Sequence, residues 1–372
     1  MKVLLEASHP AHVHFFTPIG RELLRRGNDV VLAIRDKDVV LALAERSGIP
    51  TSRPSSGRWS GHQPGRGILA RGPELVSRVR WLRSLISAEG FDVVATRNPS
   101  GVLAARIAGI ASIFDTDDGR AAGTHYWLAG PFASVVTSPE LLPERLGRRH
   151  ETYPGLKATF FLHPARFAPD PEILQRYGLA QSARLFILRF SANDASHDSG
   201  VRIIPDELVA SICERLRALG HVVLSREGRG TMLLRRLDHP PRIRERYETD
   251  VEQATVVAPE HFLHLLARAE LFVGDSGSVA MESVALGVPA LRIADINRPI
   301  LAEIERRLGT LENFGWSESA RLLRRIDEKV RNNTEGRTAL YCLNRATSPF
   351  EDLVGWYVDL IERVATVNRL RP

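Results

Sequence analysis

The sequence predicts an α/β protein built from two doubly wound domains. Three observations carry that expectation. Short apolar runs alternate with helix-periodic stretches from Lys2 to Tyr153, the alternation restarts at Arg184, and a proline-rich connector lies between the two series. Alternation of this kind is the signature of a parallel sheet flanked by helices. A chain of 372 residues suits two domains of ordinary size.

The elements follow in order. Lys2–Ala7 reads as a buried parallel strand. Within His12–Arg26, residues Val13, Phe16, Ile19, Leu23 and Leu24 recur at helical spacing, and Gly27-Asn28 stops the helix. Strand Asp29–Ile34 and helix Asp38–Arg46 come next. Thr51–Gly72 then breaks the pattern with glycines, prolines and the arginines Arg58, Arg66 and Arg71. A loop of this length is usually functional or disordered. The alternation resumes with helix Pro73–Ala88, strand Asp92–Thr96, helix Ser100–Ala108 and strand Ala111–Phe114. It continues with helix Ala121–Ala129, strand Ala133–Thr137 and a strand near His150–Tyr153.

Pro154, Pro164, Pro169 and Pro171 place the domain boundary near residues 160–180. The second half gives strand Arg184–Arg189, helix Pro205–Ala218, strand His221–Ser225, helix Thr231–Leu237 and strand Ala254–Val257. Helix His261–Ala267, strand Glu270–Val273, helix Ser278–Leu286 and strand Pro289–Ile293 follow, and the remainder reads as helical. The expected division is a domain at 1–165, a domain at 175–345, and a helix at 350–372 that packs back on the first.

Composition narrows the class. The chain is 44% apolar and 25% charged, as soluble globular proteins are. Cys213 and Cys342 lie far apart, without metal-ligand spacing, which fits a reducing compartment and no zinc site. The N-terminal apolar run is too short for a signal peptide, and no stretch reaches the ~18 apolar residues of a membrane span. A cytoplasmic protein is expected. The formal charge of +6 suits anionic ligands: phosphates, nucleic acid or an anionic membrane surface. No aromatic-plus-basic motif of an RNA-binding module is present, so no nucleic-acid partner is expected. An acceptor on a membrane surface, with peripheral association, would suit the arginines of the insert.

Ligands of open parallel sheets bind at the carboxyl ends of strands, so the loops after strands are where chemistry is expected. Gly274-Asp275-Ser276-Gly277-Ser278 follows the strand Glu270–Val273 and opens a helix. Its glycines allow close backbone approach, and the helix start favours a phosphate. Ser276 and Ser278 add hydroxyls. Glu282, one turn beyond Ser278, can accept bonds from the two hydroxyls of a ribose. The competing reading is a plain cap by Ser278 with Glu282 solvated.

Other strand-end loops carry further candidates. Ser8-His9-Pro10-Ala11-His12-Val13-His14 offers His12, then His14, as a general base. Asp115-Thr116-Asp117-Asp118 is the densest acidic cluster; clustered carboxylates raise one another's pKa, which makes Asp117 and Asp118 candidates for acid–base work. Binding of a divalent cation, or a capping role for Asp118, are the alternatives. After strand Arg184–Arg189, Arg189 and Ser191 are placed to hold a diphosphate and His197 to donate to it. Arg226, in Ser225-Arg226-Glu227-Gly228, is a weaker candidate of the same kind.

The block from Val256 to Ile293, with its strand, Gly-Asp-Ser-Gly, helix with Glu and Gly-x-Pro, resembles the donor-binding region of two-domain GT-B nucleotide-sugar enzymes. It is similar to UDP-N-acetylglucosamine 2-epimerases and to MurG-like glycosyltransferases. SHPAHVHFF and RFSANDASHDSG make the chain resemble, more specifically, the DUF354 family through most of residues 1–300. The resemblance implies two Rossmann-like domains facing a central cleft, with the donor on the second. It implies that Gly274, Ser276, Gly277, Ser278 and Glu282 hold the donor, and that backbone near Val257–His261 holds its base. The expected activity is nucleotide-sugar-dependent glycosyl transfer to an acceptor on the first domain. A UDP-sugar is the expected donor, and no divalent cation is strictly needed. The alternatives are an epimerase or hydrolase using Asp117, Asp118 and His197, or a non-catalytic relative. Where the epimerases carry an Arg-Pro-Glu turn, this chain has SHPAHVHFF, which argues against the epimerase.

Overall fold

The structure, a computed structural model, describes residues 1–35, 38–54, 68–190, 204–226, 232–235, 255–295, 298–332 and 352–369. The chain forms two compact units. One comprises Met1–Phe161, Arg298–Glu303 and Pro349–Pro372; the other comprises Leu162–Asn297 and Ile304–Ser348.

The first unit is a seven-stranded parallel sheet of β1 (Lys2–Ala7), β2 (Asp29–Ile34), β3 (Thr51–Ser52), β4 (Val93–Thr96), β5 (Ala111–Asp115), β6 (Val135–Pro139) and β7 (His150–Tyr153). The strand order is β3-β2-β1-β4-β5-β6-β7. Register is fixed at the centre by Leu5 opposite Leu32 on one side and Ala95 on the other. β1 is buried along Val3–Ala7, as a strand covered on both faces must be.

Helices α1 (Pro10–Arg25), α2 (Asp38–Glu45), α3 (Ile68–Glu89), α4 (Pro99–Ala108) and α5 (Thr124–Trp127) connect the strands. α4 ends at Gly109, whose φ of +75 is the left-handed geometry that closes a helix. The C-terminal helix Leu353–Arg369 also belongs to this unit. Its Leu353, Val354, Tyr357, Val358 and Ile361 join Phe15, Phe16 and Phe160 in one core. Each such side chain contributes about 2 kcal/mol by burial.

Short helices α6 (Thr159–Leu162) and α7 (Ile173–Arg176) lead into the second unit. Its sheet runs in the order β11-β10-β9-β8-β12-β13-β14, comprising β8 (Leu185–Phe190), β9 (His221–Arg226), β10 (Met232–Arg235), β11 (Thr255–Val257), β12 (Leu271–Gly274), β13 (Ala290–Ile293) and β14 (Leu311–Phe314). β9, β8, β12, β13 and β14 are parallel, whereas β10 and β11 are antiparallel. Helices α8 (Asp206–Arg217), α9 (Phe262–Arg268), α10 (Gly277–Ala285), α11 (Pro299–Leu308) and α12 (Ser319–Asn332) complete the described elements. Phe186, Leu188, Ile212, Leu216, Phe314 and Leu322 centre the core.

Besides the short helices α6 and α7 in the connector, four elements differ from the sequence expectation. Met232–Arg235 is a strand rather than part of a helix, because its ladder to β9 outweighs the helical propensity of a Met-Leu-Leu run. β14 lies where only helix was expected; Leu311 and Phe314 are its buried anchors. The helix expected over Ala121–Ala129 is divided by Gly123, at φ +59, into a 3-10 turn and the one-turn α5. α3 begins at Ile68 and runs through Pro73.

Candidate functional site

The strand order reverses beside β1 in the first sheet and beside β8 in the second. Ligands of such sheets bind outside the carboxyl ends of the strands flanking the reversal. The first switch point lies between β1 and β4, and the second between β8 and β12. Each is described within its own unit.

At the first, His9 caps α1: its Nδ1 accepts the Ala11 amide at 3.2 Å, and Pro10 occupies the first helical position, where a missing N–H costs nothing. That geometry fixes His12 in the opening turn. The His12 ring is half-buried, and its Nδ1 is shut from solvent with no hydrogen-bond partner. Burial, then the Arg97 charge, holds its pKa well below the ordinary value, so the imidazole is neutral. His14 instead stacks on Phe161 at 5.4 Å between ring centroids, and burial pulls its pKa down to about 4. Its observed role is packing against Phe161.

The acidic run after β5 is divided by its partners. Asp115 is fully buried, forms an ion pair with Arg97, and accepts the Thr137 hydroxyl at 2.9 Å. Asp117 is gripped by Arg97 Nη2 at 2.5 Å and Lys157 Nζ at 2.8 Å. Burial would raise its carboxyl, but Arg97 and Lys157 outweigh burial and hold it far below the usual carboxylate range. The expectation that clustering raises both acids therefore fails for Asp117, because two buried cations sit on it. Asp118 behaves as expected: burial, then the Asp117 charge, pushes it up, with an ion pair to Arg298 opposing. Asp118 precedes the 3-10 turn but makes no side-chain cap. Two adjacent carboxyls with opposite shifts are the pattern of a divided acid–base pair.

Arg97, Lys157 and Glu6 escaped the sequence reading. Arg97 directly follows β4 and lies over the Phe15 ring at 5.4 Å. Its carbonyl accepts His125 Nε2 at 2.9 Å. Glu6, fully buried, accepts Arg78 Nε, Thr96 Oγ1 and Ser100 Oγ, each at 2.6 Å. A carboxylate inside the run Val-Leu-Leu-Glu-Ala was the available signal, since a lone charge in a buried strand requires partners.

At the second switch point, Ser276 caps α10 by accepting the Val279 amide at 3.4 Å, so Ser276 rather than Ser278 is the capping residue. Gly274 is required for a reason the sequence did not show. A Cβ there would meet the Arg189 carbonyl oxygen at 2.0 Å, so the glycine lets β12 lie against β8. Neither Gly274 nor Gly277 has a positive φ. Ser278 and Gly277 are partly exposed in the first turn, and Glu282 is buried at 5% exposure rather than solvated. Arg292, from β13, donates to the Asp275 carbonyl at 3.1 Å and braces the loop.

Arg189 donates to Ser225 Oγ at 3.0 Å. The Ala258 amide, in the segment expected to hold a base, donates to the Tyr177 hydroxyl at 3.1 Å, and that hydroxyl lies 2.8 Å from His261 Nδ1. Ser191, His197 and the Arg226 side chain lie outside the described residues, as does most of the 51–72 insert. No three His, Cys, Asp or Glu side chains gather as metal ligands among the described residues.

No protein-family model matches the chain, DUF354 included, and no curated protein sequence matches it. Solved structures do. The S. aureus MnaA–UDP complex aligns at TM-score 0.65 and 14% identity, covering all of this chain and 97% of its own. The Neisseria meningitidis UDP-GlcNAc 2-epimerase bound to UDP-GlcNAc aligns at TM-score 0.61 and 13% identity, covering 99% of this chain and 100% of its own. The glycotransferase of kitacinnamycin aligns at TM-score 0.61 and 18% identity, covering 98% and 99%. The chain has the GT-B fold. Within that fold, His12, Arg97 and Asp117 belong to the switch point of the first Rossmann-like unit and Gly274–Glu282 to that of the second.

Proposed function

We propose that this GT-B protein is a nucleotide-sugar-dependent glycosyltransferase. The single observation that carries the reading is His12: a neutral imidazole in the first turn of α1, one nitrogen buried without a partner, in the field of an ionised Asp117. A base with these properties can take the proton of an acceptor hydroxyl through the nitrogen left open, Nε2. Asp117, kept charged by Arg97 and Lys157, then stabilises the imidazolium. The bond from the sugar carbon to the diphosphate breaks as the bond to the acceptor oxygen forms, and the electron pair leaves with the diphosphate.

In the second unit, the Gly274–Ser278 loop and the α10 start hold the diphosphate, with Arg189, and Glu282 holds the ribose. These groups can absorb the leaving charge, and the step needs no divalent cation. A UDP-sugar is favoured as donor because structural neighbours carry UDP and UDP-GlcNAc. A second reading, epimerisation or hydrolysis without an acceptor, is favoured by the epimerase likeness and by the raised Asp118 carboxyl, which suits a general acid.

The test is a thermal-shift titration with UDP, dTDP, GDP, CDP and ADP, paired with NMR of UDP-GlcNAc incubated without acceptor. Stabilisation by one diphosphate, lost in Glu282→Ala, with the sugar nucleotide unchanged, supports transfer. Epimerised or hydrolysed UDP-GlcNAc would select the second reading. An equal shift in Glu282→Ala would remove the donor site from α10.

A further inference from the structure

One surface of the first unit is unlike the rest. Trp127, Leu128 and Phe132 are 56%, 40% and 46% exposed within six residues. Three large apolar side chains this close in sequence, held outward, form a patch of the kind that marks an interaction site. They are not the tips of a loose loop. Next to Trp127, Tyr126 is buried at 4%, its hydroxyl on the Leu146 carbonyl at 3.4 Å, and its ring fills the space a Cβ of Gly130 would take, at 2.6 Å. The buried tyrosine pins the segment to the 141–149 loop and leaves its apolar neighbours facing water.

That loop supplies the charge. Arg149 donates to the Ala133 carbonyl at 3.1 Å, one residue from Phe132. Arg145, Arg148 and Arg149 are exposed and form no ion pair among the described residues. Of the acids at 140–151, Glu144 pairs with Arg120 and Glu151 with Arg363, so Glu140 alone offsets the three arginines. Aromatic and apolar side chains beside an excess of arginines are complementary to the headgroup zone of an anionic bilayer, where rings sit at the interface and guanidinium groups meet lipid phosphates. A basic protein partner would be repelled. No helix among the described residues is long and apolar enough to cross a membrane, so contact through this face would be peripheral.

We propose that the Trp127–Phe132 face docks the protein on an anionic lipid surface. The inference is independent of the glycosyl-transfer reading. It is tested by co-sedimentation of the full chain with vesicles of phosphatidylglycerol and phosphatidylcholine in equal parts, and with vesicles of phosphatidylcholine alone. Binding is expected to the first and to be weakened by salt. W127S/F132S and R148E should each lower it, the first more than about tenfold. Because Trp127, Phe132 and Arg148 are exposed, the thermal midpoints of both variants should match wild type, which separates lost docking from lost folding. Wild type remaining in the supernatant with anionic vesicles would overturn the proposal. So would binding that both variants retain. A dimer in sedimentation velocity that W127S/F132S dissolves, without vesicle binding, would assign the face to self-association instead.

Discussion

Lys157 donates to Asp117 across 2.8 Å, and both side chains are almost wholly buried. Arg97 holds the other carboxylate oxygen of Asp117 and also pairs with Asp115. Two cations therefore face two carboxylates, and the set is close to neutral. Removing one cation leaves a buried charge uncompensated, which costs far more than the pair contributes. Lys157→Met is accordingly expected to lower stability by about 3 kcal/mol in urea titration at pH 7. Pairing it with Asp117→Asn should recover part of that loss, since the second change removes the stranded charge. If the double variant were as unstable as the sum of the two, the residues would not be coupled.

Acid should destabilise the first unit above the range in which the lowered Asp117 carboxyl titrates. The folded pKa of His12 lies below 6.5, and that of His14 is about 4. Above 6.5 both states are neutral at these sites and the full stability is present. As pH falls through 6.5 the unfolded chain binds protons that the native rings refuse, so stability is lost towards pH 4. The His14 shift alone corresponds to about 3 kcal/mol. The lowered Asp117 carboxyl adds loss of the same sign, but only below its ordinary value of 3.8. His14→Leu, which keeps a packing partner for Phe161, should flatten the decline between pH 6.5 and 4.5. Urea midpoints at those two pH values would show it, and an unchanged slope would refute it.

How much of this was legible beforehand depended on whether the signal was local. The strands β1, β2, β4, β5 and β12 are short apolar runs, and the loops that follow them could be read as strand ends from sequence alone. His12 and Asp117 were therefore legible as strand-end residues. Arg97 and Lys157 were not, because each reads as an ordinary polar residue in a loop until β4 and β7 bring them to Asp117. Gly274 has a second reason the sequence does not show: sequence suggests access for a ligand, and the structure adds the carbonyl of Arg189, 85 positions earlier in the chain, as a crowding atom. β10 was missed because an antiparallel ladder to β9 is a tertiary fact that a four-residue run does not announce.

Gly274→Ala separates the two roles of that glycine. A methyl group placed 2.0 Å from the Arg189 oxygen must push β12 from β8. Overpacking of this kind costs about 3 kcal/mol. The loss is expected in the protein without nucleotide, by thermal or urea melting. A variant of wild-type stability that failed to bind nucleotide would instead make the glycine a ligand contact.

His12→Ala tests the chemistry itself. If His12 is the base, the variant should lose at least about a hundredfold in kcat, while its stabilisation by the diphosphate should match wild type, because the donor groups lie in the other unit. The rate of the wild-type enzyme should fall on the acid side as the imidazole is protonated, with the limb below pH 6.5 because burial and Arg97 depress the ring. Asp117 is the group that opposes this depression. Asp117→Asn should therefore move the limb to still lower pH while slowing the plateau, since the imidazolium loses its counter-charge. A limb that stays in place in Asp117→Asn would mean that the titrating group is not His12, and Asp118, the carboxyl pushed upward beside it, would take over as the base to examine by Asp118→Asn.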